Sequence, residues 1–172
     1  MKYLIALAWF VSLPLTALAQ EEIVTQMEEN KAPVMRSYNE DDVKQEILKL
    51  GESVVRALNE ADTETLLRDF WKSDSTLFLI DGIKIEGYEA IRSALEGIPT
   101  RRKDLVLDVD NEQVIILSEN IALHVVQFHE KVIHMDDSIS RGQGVWSTLY
   151  KKIQDDWKII MVHESHIRNG DN

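Results

Sequence analysis

The sequence predicts an α+β domain in which three helices pack on one face of an antiparallel sheet. Helix-spaced apolar residues are confined to the part of the chain between residues 41 and 98. Strand-like alternation fills nearly everything after residue 104. Helices first and a long meander afterwards, in a chain of 172 residues, leave room for one two-layer domain.

Each element has its own signal. Val43, Ile47, Leu50, Val54 and Ala57 recur at steps of four and three, placing one apolar stripe on a helix from Asp41 to near Asn59. Asp62 or Thr63 can cap a second, shorter helix with Leu66, Leu67, Phe70 and Trp71 facing inward. Ser75 to Ile80 is apolar but too short for a globular helix, and Asp81-Gly82 turns it into Ile83-Lys84-Ile85 as a hairpin. After Gly87 a third helix presents Ile91, Leu95 and Ile98, and Pro99 stops it. Leu105, Leu107 and Val109 then alternate with Val106, Asp108 and Asp110. Segments 114–117, 121–130, 140–152 and 157–166 follow as further strands between polar turns.

Ahead of the domain lies a targeting signal. Lys2, the apolar run from Tyr3 to Leu13, Pro14 and then Ala17-Leu18-Ala19 read as a signal peptide over residues 1–19, cleaved before Gln20. That run is shorter than the ~20 residues a membrane-spanning helix needs. Export to the periplasm or the medium is the expected localisation. Residues 20–39 are polar and acidic and read as a mobile leader, the domain itself covers 40–168, and 169–172 form a tail. The formal charge is −11, and loss of Lys2 makes the remainder more acidic still. Such a surface repels phosphate backbones and anionic lipid, which argues against nucleic acid and, after cleavage, membrane partners. There is no cysteine, which excludes disulfides, a thiolate nucleophile and cysteine-based metal sites.

Several residues in order carry a resemblance. They are Phe70-Trp71 before Asp74, Asp81-Gly82, Gly87 with Ile91, Tyr150-Lys151-Lys152, Trp157-Lys158-Ile159 and His163-Glu164-Ser165. From about Asp41 to His166 the chain resembles the nuclear transport factor 2-like superfamily and, within it, the SnoaL-like branch. The resemblance implies a strongly curved sheet forming a cone with a pocket, most often in a homodimer. The superfamily includes isomerases, dehydratases, cyclases and purely binding or oligomerising members, so the fold does not select a chemistry. The hub domain of the calcium/calmodulin-dependent kinase is similar in its last hairpin and lines its pocket with one histidine and three arginines. Matching strands places those positions at Ile91, Gln127, Thr148 and Glu164, none of them basic. A pocket without arginine holds a carboxylate or phosphate poorly, so the expected ligand is a non-anionic small molecule, neutral or cationic.

Strand alternation extends the match. If Gln127 points into the cone, Leu123, Val125 and His129 share its face. Trp146, Thr148 and Tyr150 go together on the next strand, as do Ile160, Val162 and Glu164 on the last. Ile91, Val125, Gln127, Trp146, Thr148 and Val162 are then the expected ligand-binding wall. Glu164 is the candidate general acid or base, because a desolvated carboxylate titrates closer to neutrality. The alternative for Glu164 is a solvated strand end paired with Arg141 or Arg168. His129 is its candidate proton partner, against a solvated histidine near a turn. Tyr150 is the candidate hydrogen-bond donor to an oxyanion, against a buried ring with a wet hydroxyl. His163 and Ser165 fall on the opposite face from Glu164 and suit the sheet or a dimer face. His124, His129 and His134 cannot converge on one metal from a single strand at steps of five, and no metal is expected. Neither a glycine-rich phosphate loop nor a nucleophile elbow is present, Gly142-Gln143-Gly144 reads as a bulge or close packing, and no cofactor is expected. Two readings stand at this point: a binding module, or a cofactor-free isomerase, dehydratase or cyclase using Glu164.

Overall fold

The computed structural model describes residues 38–97 and 102–168; the expected signal peptide, the leader as far as residue 37 and the tail lie outside the described residues. Helix α1 runs Glu40–Glu60. Asn39 caps it by accepting from the Asp41 amide, and Glu40, Asp41 and Asp42 put negative charge where the helix dipole favours it. Asp62 caps α2, Thr63–Asp69, by accepting from the Thr65 amide at 3.0 Å. Strands β1 (Leu77–Ile80) and β2 (Ile83–Glu86) form the expected hairpin. Asp81 and Gly82 both have positive φ, 47° and 83°, as a two-residue hairpin turn requires. Helix α3 is Tyr88–Glu96.

The rest of the described chain is four long strands: β3 (Arg102–Ser118), β4 (Ile121–His134), β5 (Ile139–Ile153) and β6 (Asp156–Arg168). They form one six-stranded sheet in the order β2-β1-β6-β5-β4-β3. Neighbours pair antiparallel except β1 and β6, which are parallel, so the sheet is mixed where the sequence reading had it wholly antiparallel. A second correction concerns β3. Segments 105–110 and 114–117 are one strand, continuous through the polar stretch Asp108–Gln113, with a register shift between Val109 and Asn111. As an edge strand β3 tolerates that polarity, since charge on an edge discourages unwanted pairing.

All three helices lie against one face of the sheet. Val43, Ile47, Leu67 and Ile91 from the helices, with Phe70 just after α2, meet Ala122, Tyr150, Trp157 and Ile159 from the strands. A second cluster gathers Leu105, Leu107, Val126, Phe128 and Trp146. Two glycines are set by close approach. A Cβ at Gly51 would collide with the ring of His124, which occupies the notch glycine leaves in α1. One at Gly144 would lie 2.5 Å from the Ser165 carbonyl and 2.7 Å from Phe128 Cζ. Gly144 therefore marks close packing of strand against ring.

Opposite the Leu149–Tyr150 step, β6 carries one extra residue, Ile160. The shift lets Trp157 and Ile159 face the core at one end of β6 while Val162, Glu164 and His166 face inward at the other. Ile160 is the extra residue of this shift, so the simple alternation that grouped it with Val162 and Glu164 is interrupted there.

Candidate functional site

Between the helices and the inner face of the sheet is a cavity of about 480 Å³. Helices supply Val54, Leu58, Leu66, Ala94 and Leu95; the sheet supplies Phe78, Ile80, Leu105, Leu107, Trp146 and Val162. Into this apolar wall project Asp81, Arg102, Glu130, Thr148, Glu164 and His166. A wider cleft of about 770 Å³ beside α2 is edged by Glu64, Arg68, Lys72, Glu96 and Asp156, the solvated charges of an ordinary surface. The mostly apolar cavity with few convergent polar groups has the character of a small-molecule site.

Its polar centre is an imidazole held between two carboxylates. Glu164 and His166 are two apart on β6 and share a face. The β1–β6 pairing sets Ile80 beside Glu164, and Asp81, the first turn residue, follows directly. The His166 backbone amide donates to Asp81 Oδ1 at 2.9 Å, and Nδ1 lies 3.1 Å from both Asp81 oxygens. Nε2 lies 3.1 Å from Glu164 Oε1. The His166 side chain is only 9% exposed and that of Glu164 18%. The hydrogen bond to Glu164 and the nearby carboxylates outweigh burial and push His166 up to about 9, so it is an imidazolium at neutral pH. Phe128 meets that ring edge-on at 5.6 Å and packs against Trp146 at 4.8 Å with the rings tilted by 38°.

Arg102, at the start of β3, is a second cation of the wall. It donates to the Leu58 carbonyl at 2.8 Å, and burial holds its guanidinium below its ordinary value against the pull of Glu130 and Asp104. The expectation of a pocket without arginine is thereby corrected. The positions matched to the hub domain omitted the start of β3, which lies just beyond the residues that carried the alternation.

Of the expected wall, Trp146, Thr148, Val162 and Glu164 line the cavity. Val125, Gln127 and His129 do not. On β4 the buried residues are Ala122, His124, Val126 and Phe128, so Gln127 and its parity mates face away from the helices. Alternation groups residues by face without saying which face is inside, and apolar residues on both faces of early β4 hid the answer. His129 is exposed, with Nδ1 2.8 Å from Asp110 Oδ1 and Nε2 3.4 Å from Asp108, and it does not approach Glu164 across the cavity. Ile91, fully buried, belongs to the core beneath the cavity. Tyr150 is 1% exposed among the same core residues, and burial, with Asp69 nearby, pushes its hydroxyl above the usual phenol value. It is packing, and it does not line the cavity.

His166 and Asp81 were missed. The alternation that grouped Val162 with Glu164 continues to His166, so that signal was present in the sequence. Nothing in the sequence shows that β1 pairs with β6, and so Asp81 read only as a turn.

Three helices over an open, curved six-stranded sheet with a cavity between them define a nuclear transport factor 2-like cone. The model of the calcium/calmodulin dependent protein kinase II association domain matches residues 43–168, and the chain belongs to that family. Its fold is similar to that of a nuclear transport factor 2-like superfamily protein from Salmonella enterica serovar Typhimurium, 21% identical over 77% of this chain and 96% of that one, TM-score 0.69. The association domain of Caenorhabditis elegans CaMKII is 23% identical over 73% and 96% of the two chains, TM-score 0.60. A hexachlorocyclohexane dehydrochlorinase, LinA-type3, from Novosphingobium barchaimii is 13% identical over 74% and 87%, TM-score 0.63. No curated protein matches the chain.

Proposed function

We propose that the domain is an exported small-molecule-binding module whose cavity takes a neutral or cationic ligand. The observation that carries this reading is the charge balance of the wall. Among the described residues, three carboxylates, Asp81, Glu130 and Glu164, face two cations, Arg102 and His166. Both cations are already engaged, His166 by two carboxylates and Arg102 by the Leu58 carbonyl with Glu130 and Asp104 nearby. An anionic ligand would meet more carboxylates than cations in that wall, and His166 is already held by two of those carboxylates, whereas an uncharged or cationic one meets an apolar surface with acceptors at one end.

A second copy of the chain is the proposed partner. On the sheet face away from the helices, Leu77, Met161, Leu149, Leu123 and Ile115 stand in register as one apolar row across five strands. Val145 and Ile167 on the same face are 41% and 62% exposed. His163 and Ser165 are also on this face. A broad apolar sheet surface of this kind suits burial against its own copy.

One observation favours a second reading, a cofactor-free isomerase, dehydratase or cyclase. Glu164 is hydrogen-bonded to an imidazolium beside an apolar wall, the setting in which a carboxylate can move a proton. His129 and Tyr150 have no part in that version.

Native mass spectrometry of protein recovered from the cell envelope tests these readings together. The expected particle has twice the mass of a chain beginning at Gln20 and retains a neutral or cationic molecule. An intact Met1 contradicts cleavage after Ala19, a lone chain at high concentration contradicts the dimer, and a retained carboxylate or phosphate contradicts the charge preference. If Glu164 is catalytic, Glu164→Gln should trap a molecule different from the one wild type retains; the same molecule in both removes the enzymatic reading.

A further inference from the structure

We infer that His166 is a resident counter-ion, and that a cationic ligand and the His166 proton compete for the carboxylates of Glu164 and Asp81. The inference rests on the reading of the cavity as a ligand site. It follows from the way His166 is held. Nδ1 reaches both oxygens of Asp81 and Nε2 reaches Glu164, so one imidazole engages the two carboxylates at this end of a mostly apolar wall. An ammonium group entering the cavity finds its strongest partners already serving a cation.

The charged groups that line the cavity with His166 come from four elements. Asp81 stands in the β1–β2 turn, Glu164 on β6 itself, Glu130 on β4 and Arg102 on β3. Strand β5 places Gly144 opposite His166, and the helices contribute apolar side chains such as Val54, Leu58 and Leu95. Two adjacent cations at Glu164 would repel each other at such close range. Charge is conserved if the imidazolium releases one proton to water as the ammonium arrives: two carboxylates and one cation before, two carboxylates and one cation after. The neutral imidazole keeps an N–H for one carboxylate.

The two carboxylates push His166 up to about 9, so a cation bound beside them lowers that value and the proton leaves at ordinary pH. By linkage, affinity for a cation then rises with pH between 7 and 8, about tenfold per unit where a full proton is released. An uncharged ligand of the same shape has no such dependence.

Isothermal titration calorimetry of the wild-type protein decides this with 2-phenylethylamine, which stays protonated over that range, and with the uncharged 2-phenylethanol. Each is titrated at pH 7 and 8 in two buffers of different ionisation enthalpy. The expected result is buffer-dependent heat for the amine, corresponding to about one proton released, and none for the alcohol. His166→Gln should bind the amine with buffer-independent heat. Amine binding to wild type with buffer-independent heat overturns the exchange. So does binding of the alcohol alone, which leaves the ligand-site reading standing. If neither compound binds, both readings fall.

Discussion

Replacing Phe128 with alanine is expected to destabilise the domain by about 3–5 kcal/mol, the usual cost of emptying a fully buried aromatic site. Phe128 is completely buried on the inner face of β4. Its ring packs against Trp146, abuts His166 edge-on and fills the space above Gly144, where any side chain on β5 would collide with it. Those neighbours cannot collapse into the void: Gly144 has no side chain to move, and His166 is pinned by two carboxylates. Urea denaturation at pH 7 measures the effect. A loss under about 1 kcal/mol would mean that these rings do not pack as described. The same variant should weaken ligand binding, because Trp146 belongs to both the aromatic cluster and the cavity wall.

Raising the pH should remove stability that His166 supplies. Its folded value of about 9 lies above the ordinary 6.5, so the folded state holds the proton more tightly than the unfolded chain. The contribution is complete below about pH 6.5 and is lost as pH rises through about 9. The full shift would be worth more, but Asp81 is about a third exposed and water screens its share, so about 2 kcal/mol is expected. Denaturation midpoints between pH 7 and 10 test this against His166→Gln. Wild type should lose stability across that window and the variant should not; parallel curves would remove His166 as the cause.

Much of the architecture was legible because each helix and hairpin carries a local signal. The stripe Val43, Ile47, Leu50, Val54 and Ala57 needs nothing beyond helical periodicity, and the Asp81-Gly82 turn needs nothing beyond its φ preferences. What escaped was set by long-range pairing. Gln127 was placed inside by the match to the hub domain and alternation carried His129 with it, whereas packing of His124 against Gly51 and of Phe128 against Gly144 puts the other face of β4 inside. The parallel β1–β6 pair joins residues some eighty positions apart and brings Asp81 to His166, a contact no local pattern announces. Ile160 likewise breaks the period of β6 without a mark in the sequence. The site was therefore half legible: Trp146, Thr148, Val162 and Glu164 followed from alternation, whereas Asp81 and Arg102 required the fold.

The central claim is that the cavity under the helices is a ligand site that discriminates by charge. Thermal denaturation with matched aryl and alkyl amines, alcohols and carboxylates tests it most directly, using wild type and Val162→Phe, which fills the wall beside Glu164. Amines and alcohols should raise the wild-type midpoint, carboxylates should not, and the filled variant should respond to none of them. Carboxylates that stabilise best, or a Val162→Phe protein that responds as wild type does, would contradict the account.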